Sequence, residues 1–294
     1  MRKLQLPHIQ GPWLLLLLFG VLYGLITFVN HYLFRTNALD LGVYAHAAWD
    51  YAHGTVDDST SFRTYSEPIL ADHFDLHLLF FSPLVKWFGA WGLLFVQWLA
   101  ILWGALGVYR LAQFKKSNYA IWAMAHLLAF FAIFQALGYD YHSNVTAAMA
   151  LPWWFLALEK RKYFQSWFLL VFILFAKENM APWMIFCTSG TWLLMRRTSI
   201  GLHINMLFQL VFCAAYFYFI VFQVMPFMAT DGSASNLQYS MLKEWSYAPS
   251  WEQSKLLFKS LFTNHLSDSY GDYFKLEFYL LLLLSGGLLL FRKP

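Results

Sequence analysis

Residues 13–33 read WLLLLLFGVLYGLITFVNHYL, an almost unbroken apolar run that begins ten residues after Arg2 and Lys3. A bilayer core about 30 Å thick needs about 20 apolar residues in a helix, and a secretory h-region is shorter. No small-x-small cleavage pattern follows the run. It reads as an uncleaved first transmembrane helix with its N-terminus on the cytoplasmic side.

The rest of the chain repeats the signal. Strongly apolar runs fall at about 90–113, 119–137, 145–158, 163–176, 180–195, 203–229 and 276–291. With the first, they predict an all-α polytopic bundle of about eight spans. Composition agrees: of 294 residues, 60% are hydrophobic and 12% charged, with mean hydropathy +0.48. Soluble domains carry about 25% charged residues, so water cannot be the solvent for this chain. Trp and Tyr, 14 and 17 of them, suit the headgroup zone. Cys187 and Cys213 lie inside apolar runs, which argues against a disulfide framework.

Charge placement tests the layout. Arg2/Lys3, Arg110/Lys115/Lys116, Lys160/Arg161/Lys162, Arg196/Arg197 and Arg292/Lys293 all fall on one side, with Glu159 as the one acid there. The positive-inside rule assigns that side to the cytoplasm. The run from Leu76 to Phe88 is short and holds Pro83 and Lys86. It is expected to lie on the outer surface, because a span there would invert every later helix. The runs 145–158, 163–176 and 180–195 would each cover only about 21–24 Å at 1.5 Å per residue. Short helices with polar ends suit a water-filled crater.

The expected organisation is a single membrane domain, 1–294, with two longer outer loops, 34–89 and 230–275. In the first, Asp40 precedes the run Leu41–Trp49 and Gly54 closes it, which are start and stop signals for a surface helix. The Leu76–Phe88 run supplies a second. No internal repeat, glycine-rich phosphate loop, CxxC pair or HExxH motif is present, and nothing suggests a nucleic-acid partner.

Several polar residues could carry chemistry. Asp40 fits a helix cap and equally a carboxylate at the crater mouth, since a cap is held rigidly. Asp72-His73 can share a proton or bind a divalent ion such as Mg or Mn; a solvated polar turn is the competing role. His46, Asp50 and His53 share a helical face, as metal ligands or as its wet side. Asp140 and His142 sit in a short link flanked by Tyr139 and Tyr141. Lys177-Glu178 lies between two apolar runs, where charges face a cavity or pair with each other.

These residues carry a resemblance. Asp40-Leu41-Gly42-Val43-Tyr44 with His53-Gly54, Ala71-Asp72-His73-Phe74, Tyr139-Asp140-Tyr141-His142, Leu158-Glu159-Lys160-Arg161 and Ala176-Lys177-Glu178-Asn179 resemble domain-of-unknown-function family 2079, prokaryotic multi-pass membrane proteins. The family in turn is similar to the GT-C superfamily of membrane glycosyltransferases. The resemblance implies transfer of a sugar from a polyprenyl-phosphate donor on the non-cytoplasmic face. Asp40 would be the catalytic carboxylate, with Asp72, His73, Asp140, His142, Lys177 and Glu178 lining the same crater. Three positions depart from the pattern common in the family: Ser143-Asn144 stands where Pro-Glu is often found, and Asn179 where Asp is. Relatives also run longer, so a C-terminal acceptor domain is expected to be missing. A transporter or lipid translocase, and a non-catalytic subunit on the same scaffold, are the rival readings. The sequence is silent on sugar, acceptor and oligomeric state.

Overall fold

The computed structural model describes residues 10–36, 40–55, 68–194 and 199–228. These lie in the first of the two units into which the chain divides, Met1–Ser235. Arg2/Lys3, Arg63, Asp57, Asp58, Glu67, Arg196/Arg197, Arg292/Lys293, the 230–275 loop and the 276–291 run lie outside the described residues.

Every apolar run within the described residues is helical. Helix α1 is Gln10–Gly24, continued by a π-helical stretch Leu25–Val29 and a last turn Asn30–Tyr32. The surface-helix expectations give α2 (Asp40–Ala52) and α3 (Leu76–Phe88), with a helical turn Ile69–Asp72 between them. Then follow α4 (Ala90–Phe114), α5 (Ala120–Ala129), α6 (Phe131–Gly138), α7 (Ser143–Ala148), α8 (Leu151–Glu159), α9 (Tyr163–Leu174), α10 (Met180–Leu194) and α11 (Ile200–Phe219). Helix α11 runs on through a π-helical stretch Ile220–Val224 to Met225–Met228.

Three of these helices are long and apolar enough to cross a membrane: 11–32, 90–114 and 200–228. The pair α5 and α6, bent by 41°, makes a fourth if counted as one span. The three short runs are short helices, α7 with α8, α9 and α10, as their lengths required. Many large apolar side chains face outward, among them Leu14, Leu17 and Val21 on α1 and Leu207, Phe208 and Val211 on α11. So large an apolar exterior fits lipid, not water.

Helix α4 is the central post. It packs against α1, α3, α5, α7 and α8. Helix α2 lies on α3, and α10 on α11. Because lipid tails are as apolar as leucine, close packing and interhelical hydrogen bonds hold such helices together. Gln209 of α11 accepts from Trp154 Nε1 of α8 at 3.2 Å and donates to Ser166 Oγ of α9 at 2.9 Å. Asn205 Oδ1 accepts from Trp167 Nε1 at 3.0 Å. Tyr23 of α1 donates to the Leu128 carbonyl of α5.

Close approach of α4 to the α7–α8 turn depends on Gly104. A Cβ there would fall 2.8 Å from Met149 Cβ and 3.0 Å from its Cα, atoms that cannot swing aside. Gly104→Leu is therefore expected to destabilise the bundle by about 1–3 kcal/mol, the usual cost of overpacking, seen as a lower melting temperature in detergent. An unchanged melting temperature would show that the two elements can separate freely.

The helices alternate between two poles. At one, Lys115 Nζ meets Glu159 Oε1 at 2.5 Å and Arg161 Nη1 donates to Ser199 Oγ at 2.7 Å. The described basic clusters gather here. At the other pole lie the start of α2, residues 73–77, the 139–142 link and the 177–179 turn.

Candidate functional site

The second pole has a buried polar centre built from four segments. Lys177, 6% exposed, follows the C-terminal end of α9 and donates from Nζ to Tyr44 Oη of α2 at 2.9 Å. Its ammonium also sits 5.3 Å from the Tyr44 ring centroid. The Tyr44 ring meets those of Tyr141 and His142 edge-on, each at 6.2 Å between centroids. Asp40, one helical turn before Tyr44, acts electrostatically on Tyr44 and His142. Burial and the Lys177 charge hold His142 below the ordinary imidazole range, so it is neutral at pH 7 and can accept a proton or hydrogen bond.

The 139–142 link is held by one residue the sequence reading passed over. Gln97, fully buried in α4, donates from Nε2 to the Asp140 carbonyl at 2.6 Å and accepts the His142 N–H at 2.7 Å. Asp140 takes a left-handed backbone, φ +69°, which Asp tolerates better than most residues. The signal was available: an amide well inside a 25-residue apolar helix needs a partner.

Glu178 and Lys177 serve different segments. Glu178, 0% exposed, accepts the Phe74 N–H at Oε2, 2.9 Å, and faces His73 Nδ1 at 3.6 Å from Oε1. Burial pushes its carboxyl up, but His73 and the Phe74 N–H outweigh that, leaving it below the ordinary carboxylate value. Asp72 lies 4.0 Å from His73 Nε2. The sequence candidates Asp40, Asp140, His142 and Lys177 thus share one centre. Asp72, His73 and Glu178 form an adjoining cluster on the neighbouring turn. The α2 face does not join either: His46 pairs with Asp50 at 3.2 Å, and His53 Nδ1 bonds the Trp49 carbonyl at 2.8 Å.

Asp75, which the sequence reading did not single out, is a further fully buried carboxylate beside these clusters. It caps α3 by accepting the His77 N–H at 3.1 Å, and Ser143 Oγ donates to Oδ2. Ser143 Oγ lies 3.2 Å from Tyr141 Oη. The α3 N-terminus also docks on the end of α9, where the Phe175 carbonyl accepts the Leu76 N–H at 2.8 Å. His77 Nε2 donates to the Phe172 carbonyl at 2.8 Å. So Ser143 supplies the hydroxyl that holds Asp75.

Burial pushes Asp75 up to about 7 from 3.8, with Ser143 and Lys177 opposing; burial pushes His77 down to about 4 from 6.5. Their effects on stability have opposite signs. Asp75 stays protonated in the fold between pH 4 and 7 while the unfolded chain has lost its proton, so its contribution falls as pH rises through that window. His77 stays neutral in the fold between about 4 and 6.5 while the unfolded chain binds a proton, so its contribution rises with pH there. Between about pH 4 and 6.5 these two slopes oppose each other in the wild type. Asp75→Asn is expected to unmask a rise of about 1.4 kcal/mol per pH unit between pH 4 and 6.5, measured by chemical unfolding in detergent. A variant with the same slope as wild type would refute the buried-acid assignment.

Among the described residues, no three His, Cys, Asp or Glu side chains converge to hold a metal ion. Beside Asp72 and His73 the nearest further ligand is Glu178, whose Oε2 is taken by the Phe74 N–H.

Fold and polar centre together define an all-helical, multi-pass membrane protein with a buried acid–base and cationic cluster at one pole. Residues 30–294 match domain-of-unknown-function family 2079, described as a predicted membrane protein. The chain belongs to that family. No curated protein and no solved structure matches it.

Proposed function

We propose that this chain is a GT-C-like membrane glycosyltransferase that takes its sugar from a polyprenyl phosphate. The observation carrying the proposal is the meeting of Asp40, His142 and Lys177, from three separate segments, around Tyr44. A glycosyl transfer needs a base for the acceptor hydroxyl and a cation for the departing phosphate. Asp40 takes the acceptor proton as the hydroxyl oxygen attacks the anomeric carbon. The bond from that carbon to the phosphate oxygen breaks, and the polyprenyl phosphate leaves with the electron pair towards Lys177. Asp75, held by Ser143, sits behind Lys177 as a proton reservoir near neutral pH.

In the membrane, about eight spans place the basic pole in the cytoplasm of a prokaryotic inner membrane, with the N-terminus inside. The polar centre then lies towards the non-cytoplasmic face, where the lipid-linked donor is presented. Gathering of the buried charges at one pole favours surface chemistry over transport, which needs access from both sides.

The test is incubation of purified protein with a panel of radiolabelled polyprenyl-phosphate sugars, following release of labelled sugar. Release by wild type and not by Asp40→Asn supports the proposal. No release from any donor by folded protein, with flux of lipid or sugar into liposomes, would replace it with a translocase.

A further inference from the structure

The basic pole carries a groove that the transferase chemistry does not use. It has a volume of about 550 Å³ and lies between α4, α8 and α9, walled by Trp103, Trp153, Ala157, Phe164 and Phe168. Its rim holds Lys160 and Lys162. The floor is rigid: Trp103 and Trp153 stack at 5.3 Å, and Trp153 Nε1 donates to the Trp103 carbonyl at 2.9 Å. One wall is strongly apolar and bare, with Phe164 85% exposed. The rim is fixed too. Arg161 takes a left-handed backbone, φ +57°, and the Lys162 N–H returns to the Ala157 carbonyl at 2.9 Å. That tight turn sets both lysines at the groove mouth.

Charge on this rim is one-sided. Lys115 neutralises Glu159, and Lys160 sits 5.5 Å from the Phe114 ring centroid. Arg110, Lys116 and Lys162 add to the positive field, with Glu159 the one acid in this part of the chain. The geometry points to a binding site for an anionic diacyl phospholipid, its acyl chain in the groove and its phosphate between Lys160 and Lys162. An apolar trench alone would accept any lipid; the two lysines select the negative headgroup. A lysine near the membrane surface contributes about a five-fold preference for anionic lipid. The site stands independently of the transferase proposal, because it lies at the other pole and involves none of its residues.

Native mass spectrometry of the full chain, released from an equal mixture of phosphatidylglycerol and phosphatidylcholine, tests it. The wild type is expected to retain phosphatidylglycerol preferentially. Lys162→Gln should cut that preference about five-fold, and Lys160→Gln/Lys162→Gln should bring it close to unity. Both lysines are exposed, so melting in neutral detergent should not change. Lys116→Gln, at the same pole but outside the groove and leaving the Lys115–Glu159 pair intact, should keep most of the preference. Equal loss in that control would reassign the effect to general surface charge and overturn the site. Competition by glycerol 3-phosphate, which has the head without the chains, would also overturn it.

Discussion

Asp40→Asn is expected to slow sugar release from a polyprenyl-phosphate donor by about 10²–10⁴-fold, the usual contribution of a general base. The substitution is chosen to leave everything else in place. Asparagine has nearly the same shape and caps a helix about as well as aspartate, so α2 should still begin at position 40. Tyr44, one turn on, should still receive the Lys177 hydrogen bond. What disappears is a negative charge near Tyr44 and His142 and the capacity to take a proton. The informative measurement is single-turnover release alongside the melting temperature. A large rate loss at constant melting temperature places the base at Asp40. Near-normal release would remove Asp40 from the chemistry and leave it as an acid in the first turn of α2.

The second large effect is on stability. Glu178→Ala is expected to cost about 3 kcal/mol, because it removes one partner from a buried charge-assisted arrangement. The Phe74 N–H would lose its acceptor at 2.9 Å, and His73 its carboxylate at 3.6 Å. Neither can turn to water, since Glu178 fills the space completely buried. The 73–75 segment would then loosen, and with it the Asp75–Ser143 hydrogen bond at the polar centre. Glu178→Gln should recover about half of the loss: its amide oxygen can still accept from Phe74, while the attraction to His73 is gone. Unfolding in detergent with increasing chaotrope would measure both. If Glu178→Ala melted like wild type, the tie between the 73–75 segment and the 177–179 turn would not be a support of the fold.

The family pattern and the structure meet at Ser143. The sequence marks it only as a departure, a lost proline beside a lost carboxylate at Asn144. In the fold it is the donor to Asp75, so the change has a structural use that its residue type does not announce. Gln97 is the mirror case. It is a polar residue in the apolar stretch of α4, visible as an anomaly, and its partners lie 39 to 45 residues away. Lys177 and Glu178 were legible as costly charges near the membrane, but not their division of labour. Adjacent residues in a turn point apart, so one reaches α2 and the other the 73–75 segment.

What the sequence by itself determined was the set of helices, the alternation of basic and acidic ends, and the candidate polar residues. Apolar run length and charge placement are local quantities, and the bilayer imposes them on every span independently. What only the tertiary structure decided was which of those polar residues meet. Asp40, Asp75, His142 and Lys177 are spread over more than 130 positions. They come together because α4 posts its neighbours at fixed distances and because a buried polar group must find a partner wherever packing brings one near. That choice depends on the angle and depth at which helices cross, and no periodicity along the chain encodes it.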